Sequence, residues 1–448
     1  MRKIHIVTFG CQMNKLDSEL AAEALVDAGH MVVPDEHEAD TVVFNTCSVR
    51  DHAEQRALSR LAGLRGRRLA DPDFRLGIMG CFAEREGREL LRRLPYLDFA
   101  LGTRQFPRIP EVLDELDSRP GDAAKAGRFG EAEEDFPGIG RAHPRGRRRG
   151  IQGFVSVMRG CGNHCSYCVV PNVRGGELSR RPEDIAAEVR ALALAGTREV
   201  TLLGQNIDAY GKREGANLAA LFRLIDSEAP PETGLVRIRF VTSHPRDITR
   251  ELVEAVAALP RMCRHFHMPA QSGSDAVLAR MRRGYHRAEY VAKLTMIREI
   301  LPDSGIASDF IVGFPGETEE DFLATRDLVE KAAFRNCYIF KYSPRPGTPA
   351  ARELADDVPD GEKKRRNREL LAVQNRVNRE RGLRLVGNRL EVLAEGLSAR
   401  DADRWTGRTG DNLICVFPAP PEGEDLTGRL IRLEVESATP LTLFCRRL

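Results

Sequence analysis

The sequence predicts an α/β protein in three parts: an N-terminal parallel α/β domain, a central β/α barrel, partial or full TIM-like, and a small C-terminal all-β barrel. Three observations lead there. Short apolar runs alternate with helical patterns over the first hundred or so residues. The alternation resumes after a Gly-, Pro- and charge-rich interruption. From about Leu383 the chain changes to short β-like runs separated by Gly, Pro and Asp. Strands alternating with helices make parallel sheets, and closely spaced short strands make small barrels.

Residues 3–9 read as the first strand. Residues 17–28 follow as a helix, since Leu20, Ala21, Ala24, Leu25 and Ala28 fall on one face at helical spacing. Residues 39–45 and 75–79 give two more strands. Residues 119–149 read as a linker. There an acidic patch (Glu131, Glu133, Glu134, Asp135) precedes Arg141, Arg145, Arg147, Arg148 and Arg149. Such a run is either a solvated connector or a phosphate contact. Strand candidates recur at 153–157, 199–203, 236–242, 265–268, 306–312 and 337–342, with helices such as 182–195 and 318–333 between them. Six β/α units suit a barrel better than a flat sheet. Residues 361–381 form a basic helix holding Lys363, Lys364, Arg365, Arg366, Arg368, Arg376, Arg379 and Arg381. The tail offers strands at 389–394, 413–417, 430–435 and 441–445.

A chain of 448 residues with 42% hydrophobic content can fill two or three domain cores. Its formal charge of +2 argues for no partner by itself. The first residues run straight into a strand pattern without a secretory leader, and no long apolar stretch suits a bilayer. The expectation is a cytoplasmic protein without membrane contact. Ten cysteines in that compartment point to metal or catalysis, because cytosolic thiols stay reduced.

Cys161, Cys165 and Cys168 lie in Arg-Gly-Cys-Gly-Asn-His-Cys-Ser-Tyr-Cys, directly after a strand. The carboxyl ends of strands carry the chemistry of β/α folds. Three close thiolates can ligate three irons of a four-iron, four-sulfur cluster, leaving one iron open to a substrate. S-adenosylmethionine could chelate that iron through its amino and carboxylate groups. The competing reading is a zinc knuckle with His164 as fourth ligand, but His164 directly precedes Cys165, a poor geometry for sharing one ion.

Cys11, Cys47 and Cys81 are far apart, yet each ends an apolar strand. Parallel strands in one sheet bring their carboxyl ends together, where such sheets bind ligands. Gly10 and Gly80 permit tight turns beside a bulky group. A lone cysteine there would be a buried apolar residue. Three in equivalent places suggest a second cluster. Cys263, Cys337, Cys415 and Cys445 lack this convergence and read as core or surface thiols.

Together the triads resemble the methylthiotransferases of the radical S-adenosylmethionine superfamily, over nearly the whole chain. The matching stretches are Thr8 through Asn14, Asn45 through Arg50, Gly160 through Gly175, Leu203-Gly204-Gln205-Asn206, Thr242-Ser243-His244-Pro245, Gln271 through Ser274 and Asp309 through Thr318. Thr-Cys-Ser-Val-Arg and Thr-Ser-His-Pro are most similar to the MiaB-type branch. Sister branches act on threonylcarbamoyl-adenosine of tRNA or on a ribosomal-protein aspartate.

The resemblance implies an N-terminal methylthiotransferase domain over 1–118, a radical core over 150–378 and a tRNA-binding TRAM domain over 380–448. It implies two four-iron clusters, an auxiliary one on Cys11, Cys47 and Cys81 and a radical-generating one on Cys161, Cys165 and Cys168. One S-adenosylmethionine would donate a methyl group. A second would yield the radical that activates carbon 2 of N6-isopentenyladenosine at position 37 of tRNA. Tyr167 would pack on the cofactor's adenine, and Gly204, Gln205 and Asn206 would contact its methionine part. Gly175-Gly176-Glu177 resembles the Gly-Gly-Glu of that subsite but lies at another place. His267-Met268-Pro269 stands where His-Leu-Pro is usual. Further expectations are an external flavodoxin- or ferredoxin-like reductant, a monomer, phosphate contacts from the two basic stretches, and nucleotide contacts from Trp405 and Arg408, with barrel packing as the alternative for Trp405.

Overall fold

The computed structural model describes residues 1–48, 51–118, 125–130, 150–420 and 423–448. The arginine run and the acidic patch lie outside them.

The N-terminal part comprises β1 (Lys3–Phe9), α1 (Gln12–Asp27), β2 (Met31–Val32), β3 (Thr41–Thr46), α2 (Asp51–Ala70), β4 (Arg75–Met79), α3 (Cys81–Arg93), β5 (Phe99–Leu101), α4 (Ile109–Ser118) and β6 (Ala126–Arg128). The six strands are parallel in the order β2-β1-β3-β4-β5-β6. Every residue of β3 is buried, because helices cover both faces. Val43, Met79 and Leu101 meet α1 and α4. Val42, Phe44 and Ile78 meet α2 and α3 on the other face.

Two boundaries differ from expectation. Asp17 resembles a helix cap in sequence, yet α1 begins earlier, with Met13 and Leu16 extending its apolar face. Ala126–Arg128, inside the stretch read as linker, form the sheet's last strand beside β5.

The central part runs β7 (Gln152–Ser156), β8 (Met158–Arg159), α5 (Val170–Arg174), β9 (Leu178–Ser179), α6 (Pro182–Leu194), β10 (Glu199–Leu203), α7 (Leu218–Glu228), β11 (Arg237–Val241), α8 (Arg250–Ala258), β12 (His265–His267), α9 (Asp275–Arg280), α10 (Arg287–Ile300), β13 (Gly305–Val312), α11 (Glu319–Ala332) and β14 (Asn336–Lys341). Parallel sheets β7-β10-β11 and β12-β13-β14 join where Cys263 N–H donates to Ile238 O (2.9 Å) and Ser243 N–H to His267 O (3.0 Å). Among the described residues β14 and β7 do not pair, so six strands make an open arc, a partial barrel.

After α12 (Pro349–Glu353), the basic helix α13 (Asp360–Leu383) packs along β14 and α11. Its charges are largely answered within the chain. Arg366 pairs with Glu317 at 2.9 Å, Arg365 with Glu369 at 2.9 Å, Lys364 with Asp360 at 2.6 Å, and Lys363 with Asp356. Lys363 and Arg366 are buried, so they are structural, whereas Lys364, Arg368, Arg376 and Arg379 are exposed.

The tail is a closed five-stranded barrel, β15 (Arg389–Ser398), β16 (Asp401–Thr409), β17 (Ile414–Pro418), β18 (Leu430–Ala438) and β19 (Thr442–Arg447), in the order β15-β16-β17-β19-β18. Trp405 lies in its core with Val392, Phe417 and Leu433, which is the barrel-packing alternative and not the nucleotide contact. Arg408 pairs with Glu395 at 3.1 Å. The barrel docks on the start of the core strands. Arg239 donates to Gly410 O (3.0 Å) and Thr409 O (2.8 Å), Arg237 to Glu391 O (3.2 Å), and Arg335 pairs with Asp411.

Candidate functional site

β1, β3 and β4 are neighbours in the sheet, and each has a cysteine just past its carboxyl end: Cys11, Cys47 and Cys81. Cys11 caps α1 and Cys81 opens α3, so two helix N-termini point their positive ends at this corner. The turns need glycine. A Cβ on Gly10 (φ +148°) would stand 2.7 Å from Cys47 Cβ, and one on Gly80 (φ +93°) 2.3 Å from Asn45 Oδ1. Beneath the cysteines runs a buried amide network. Asn14 Nδ2 donates to Asn45 Oδ1 (2.8 Å), while Asn45 Nδ2 donates to Asn14 O (2.8 Å) and Ser18 Oγ (2.9 Å). The hydrogen bond with Cys47 lowers the Cys11 thiol to about 6, whereas burial pushes Cys81 up.

The second triad sits on the loop after β8. Gly160, at φ +75°, admits no side chain: a Cβ would lie 1.9 Å from Gly176 O. Backbone N–H groups aim at two sulfurs, Asn163 at Cys161 Sγ and Val170 at Cys168 Sγ, each at 3.4 Å. Arg283 Nη1 donates to Cys165 Sγ at 3.3 Å. Burial, then the neighbouring Cys165, pushes the Cys168 thiol up to about 12. Sulfurs ringed by N–H donors suit metal-bound thiolates, because hydrogen bonds to the sulfur stabilise its charge. His164 is exposed, and among the described residues no three His, Cys, Asp or Glu side chains close on one ion. Both facts count against the zinc knuckle.

The segment that follows the second triad packs on the N-terminal domain across a seam. Cys81 packs against Val169 and Val173, and Val169 directly follows Cys168. Thr103 Oγ1 donates to Val173 O (2.6 Å), and Arg159 Nη2 to Thr103 O (3.3 Å). Arg174, at the end of α5, reaches across to Asp17 at 2.6 Å, with both side chains buried. Met13, Leu16 and Leu20 share an apolar cluster with Phe154 and Leu203 of the core.

Comparisons with known proteins agree with this layout. Residues 3–102 match the model described as "Uncharacterized protein family UPF0004", and residues 155–329 match the radical SAM superfamily. The tRNA-2-methylthio-N(6)-dimethylallyladenosine synthase of Moorella thermoacetica is 41% identical over 97% of this chain and 95% of its own. The enzyme of that name from an Acidovorax species is 43% identical over 99% of this chain and 96% of its own. This chain belongs to the radical S-adenosylmethionine methylthiotransferases. In fold it is also like the radical S-adenosylmethionine methyltransferase TsrM from Kitasatospora setae, with a TM-score of 0.55, 16% identity, and coverage of 78% of this chain and 77% of that one.

In this methylthiotransferase the remaining expected residues lie beside the second triad. Gly204 follows β10 in close contact, since a Cβ would meet Met158 Cγ at 2.8 Å. Gln205 accepts the Gly160 N–H through Oε1, so it anchors the cysteine loop. Asn206 donates to Asp247 Oδ2 (2.8 Å), but its buried Oδ1 has no partner among the described residues. Tyr167 meets Phe314 edge-on, with ring centroids 6.4 Å apart. Sequence reasoning passed over Asp208, whose Oδ2 is likewise buried and unpartnered, and which burial pushes up to about 7. It also passed over Arg174, Arg283 and the Asn14–Asn45 pair. Their partners are distant in sequence, so no local pattern marks them; Asn14 and Asn45 could have been suspected only as polar residues inside apolar runs.

Proposed function

We propose that this chain is a tRNA-2-methylthio-N(6)-dimethylallyladenosine synthase, replacing the carbon 2 hydrogen of N6-isopentenyladenosine at position 37 of tRNA with a methylthio group. The observation that supports the reading is the buried cluster of Cys81 with Val169 and Val173, in which the loop of the second triad packs on a cysteine of the first. Cys161, Cys165 and Cys168 hold the radical-generating cluster, and Cys11, Cys47 and Cys81 the auxiliary one. When bound, these clusters and S-adenosylmethionine supply the radical, the sulfur and the methyl group. A carbon–hydrogen bond of an adenine ring is too inert for a side-chain base, which is why cofactor chemistry is needed.

The protein's own part is placement. Asn206 Oδ1 and Asp208 Oδ2, buried acceptors lacking donors, suit the ammonium of S-adenosylmethionine beyond the end of β10. Gly204 gives that end close backbone approach, Gln205 fixes the loop, and Tyr167 serves the adenine. An external one-electron reductant of flavodoxin or ferredoxin type completes the scheme.

The test is nucleoside mass spectrometry after anaerobic incubation of reconstituted protein with reductant, S-adenosylmethionine and tRNA bearing isopentenyladenosine. A new methylthio-isopentenyladenosine peak is expected. Formation of 5′-deoxyadenosine without that peak would move the substrate to a sister branch. Replacing Cys11, Cys47 or Cys81 with Ala should abolish the product yet leave S-adenosylmethionine cleavage measurable; loss of cleavage in all three would refute the division between the triads.

A further inference from the structure

Arg283 is a buried cation with no carboxylate among its hydrogen-bond partners in the described residues. It lies on the turn between α9 and α10, is 5% exposed, and every partner is neutral or sulfur. Nη2 donates to Pro269 O at 2.8 Å, and Nε to Tyr285 Oη at 3.2 Å. Nη1 donates to Cys165 Sγ at 3.3 Å and to Tyr167 Oη at 3.4 Å. The guanidinium carbon also lies 5.3 Å from the centre of the Tyr285 ring. Tyr285 is fixed in turn by donating to Ala270 O at 2.8 Å. The same turn grips the cysteine loop: Ser166 N–H donates to Met281 O (3.0 Å) and Ser166 Oγ to Arg280 O (2.8 Å). The guanidinium is therefore held rigidly at one sulfur of the second triad.

Burying an arginine away from an anion is costly, so its counter-charge must be found nearby. The neighbouring anions available are the cysteine thiolates. A four-iron cluster on three thiolates is negative overall, and more so after it takes up an electron. A fixed cation and an N–H···S bond therefore stabilise the reduced form more than the oxidised one.

We propose that Arg283 is a positioning residue of the radical-generating centre, whose guanidinium, donating to Cys165 Sγ, makes that centre easier to reduce. The inference rests on Cys161, Cys165 and Cys168 holding a cluster, and not on the identity of the tRNA substrate. Arg283 needs no direct contact with S-adenosylmethionine for this role.

The experiment is a redox titration, followed by electron paramagnetic resonance, of the reconstituted full-length protein without S-adenosylmethionine or tRNA. Cys11, Cys47 and Cys81 are replaced by Ala in every sample so that only the second triad reports. Arg283→Met removes charge and donors; Arg283→Gln keeps a donor and removes the charge, and covers the case in which the Met variant fails to load iron. A midpoint displaced to more negative values in both, further in Met than in Gln, is expected, with iron content unchanged. In the chain with all its cysteines, 5′-deoxyadenosine formation at limiting reductant should fall about tenfold or more. An unchanged midpoint with weakened S-adenosylmethionine binding would overturn the proposal and make Arg283 a cofactor contact. Failure of both variants to hold iron, with metal-free melting as in the parent, would also overturn it, leaving Arg283 a structural anchor of the loop. Absence of any cluster signal in the parent would instead refute the reading of the triad itself.

Discussion

At Gly160 the chain admits no substitute, because a methyl group would clash with Gly176 O on a backbone that already disfavours side chains. Gly160→Ala should cost about 1–3 kcal/mol of local strain. Iron per chain should drop by about half, as one of two sites fails, measured by iron assay on reconstituted protein. Asp208 offers a test by pH. Burial raises its folded-state pKa to about 7 from an ordinary 3.8. Between those values the fold keeps a proton that the unfolded chain has released, so this carboxyl's contribution falls as pH rises through the window and levels off above it. On the order of 4 kcal/mol is at stake, at about 1.4 kcal/mol per pH unit. Metal-free Asp208→Asn should lose that slope; parallel melting-against-pH curves for the two proteins would contradict it. The six cysteines could be read from sequence because strand endings and spacing mark them. Asp208 could not, because nothing in Asn-Ile-Asp-Ala foretells that Ser243 of the next β/α unit donates to it at 3.2 Å while its other oxygen goes without.

The elements divide by whether their signal was local. β4 and β10 lie where apolar runs place them, since a strand buried on both faces reads as near-continuous hydrophobicity. β16 went unread: Asp-Ala-Asp-Arg-Trp-Thr-Gly-Arg-Thr has hardly any apolar alternation. It is a strand because Trp405 fills the barrel and Gly407 lets the chain pass Leu393, whose carbonyl oxygen a Cβ would meet at 2.4 Å. The helix α13 was legible as an element, but its ion pairs were not, because Glu317, Glu319 and Asp356, which answer Arg366, Arg365 and Lys363, come from other segments. Arg366→Gln should therefore act on stability. It strands a nearly buried Glu317 at a cost of about 3–5 kcal/mol. The melting temperature should fall while the salt dependence of tRNA binding stays unchanged; a shallower salt slope would make Arg366 itself a phosphate contact.

Across the whole molecule, the seam decides how the two triads stand to each other. Asp17 and Arg174 are its buried ion pair, one from each domain. Asp17→Asn leaves a buried guanidinium without its counter-charge and should loosen the seam. The expected outcome is S-adenosylmethionine cleavage that persists while methylthiolated product per cleavage falls several-fold, read by quantifying 5′-deoxyadenosine and modified nucleoside together; an unchanged ratio would show that the pair serves folding alone. The opposite end is closed by the turn through Thr409 and Gly410, whose carbonyls receive Arg239. These are backbone acceptors, so almost any sequence could furnish them, but only in one shape. The tail is thus no interchangeable cassette. A chimera bearing a foreign tail would keep the core's arginines and lose the oxygens they were built to meet, unless the donor's turn followed the same path. Loss of the tail by truncation would injure the core as well, and a damaged core could then be mistaken for the loss of a function of the tail itself.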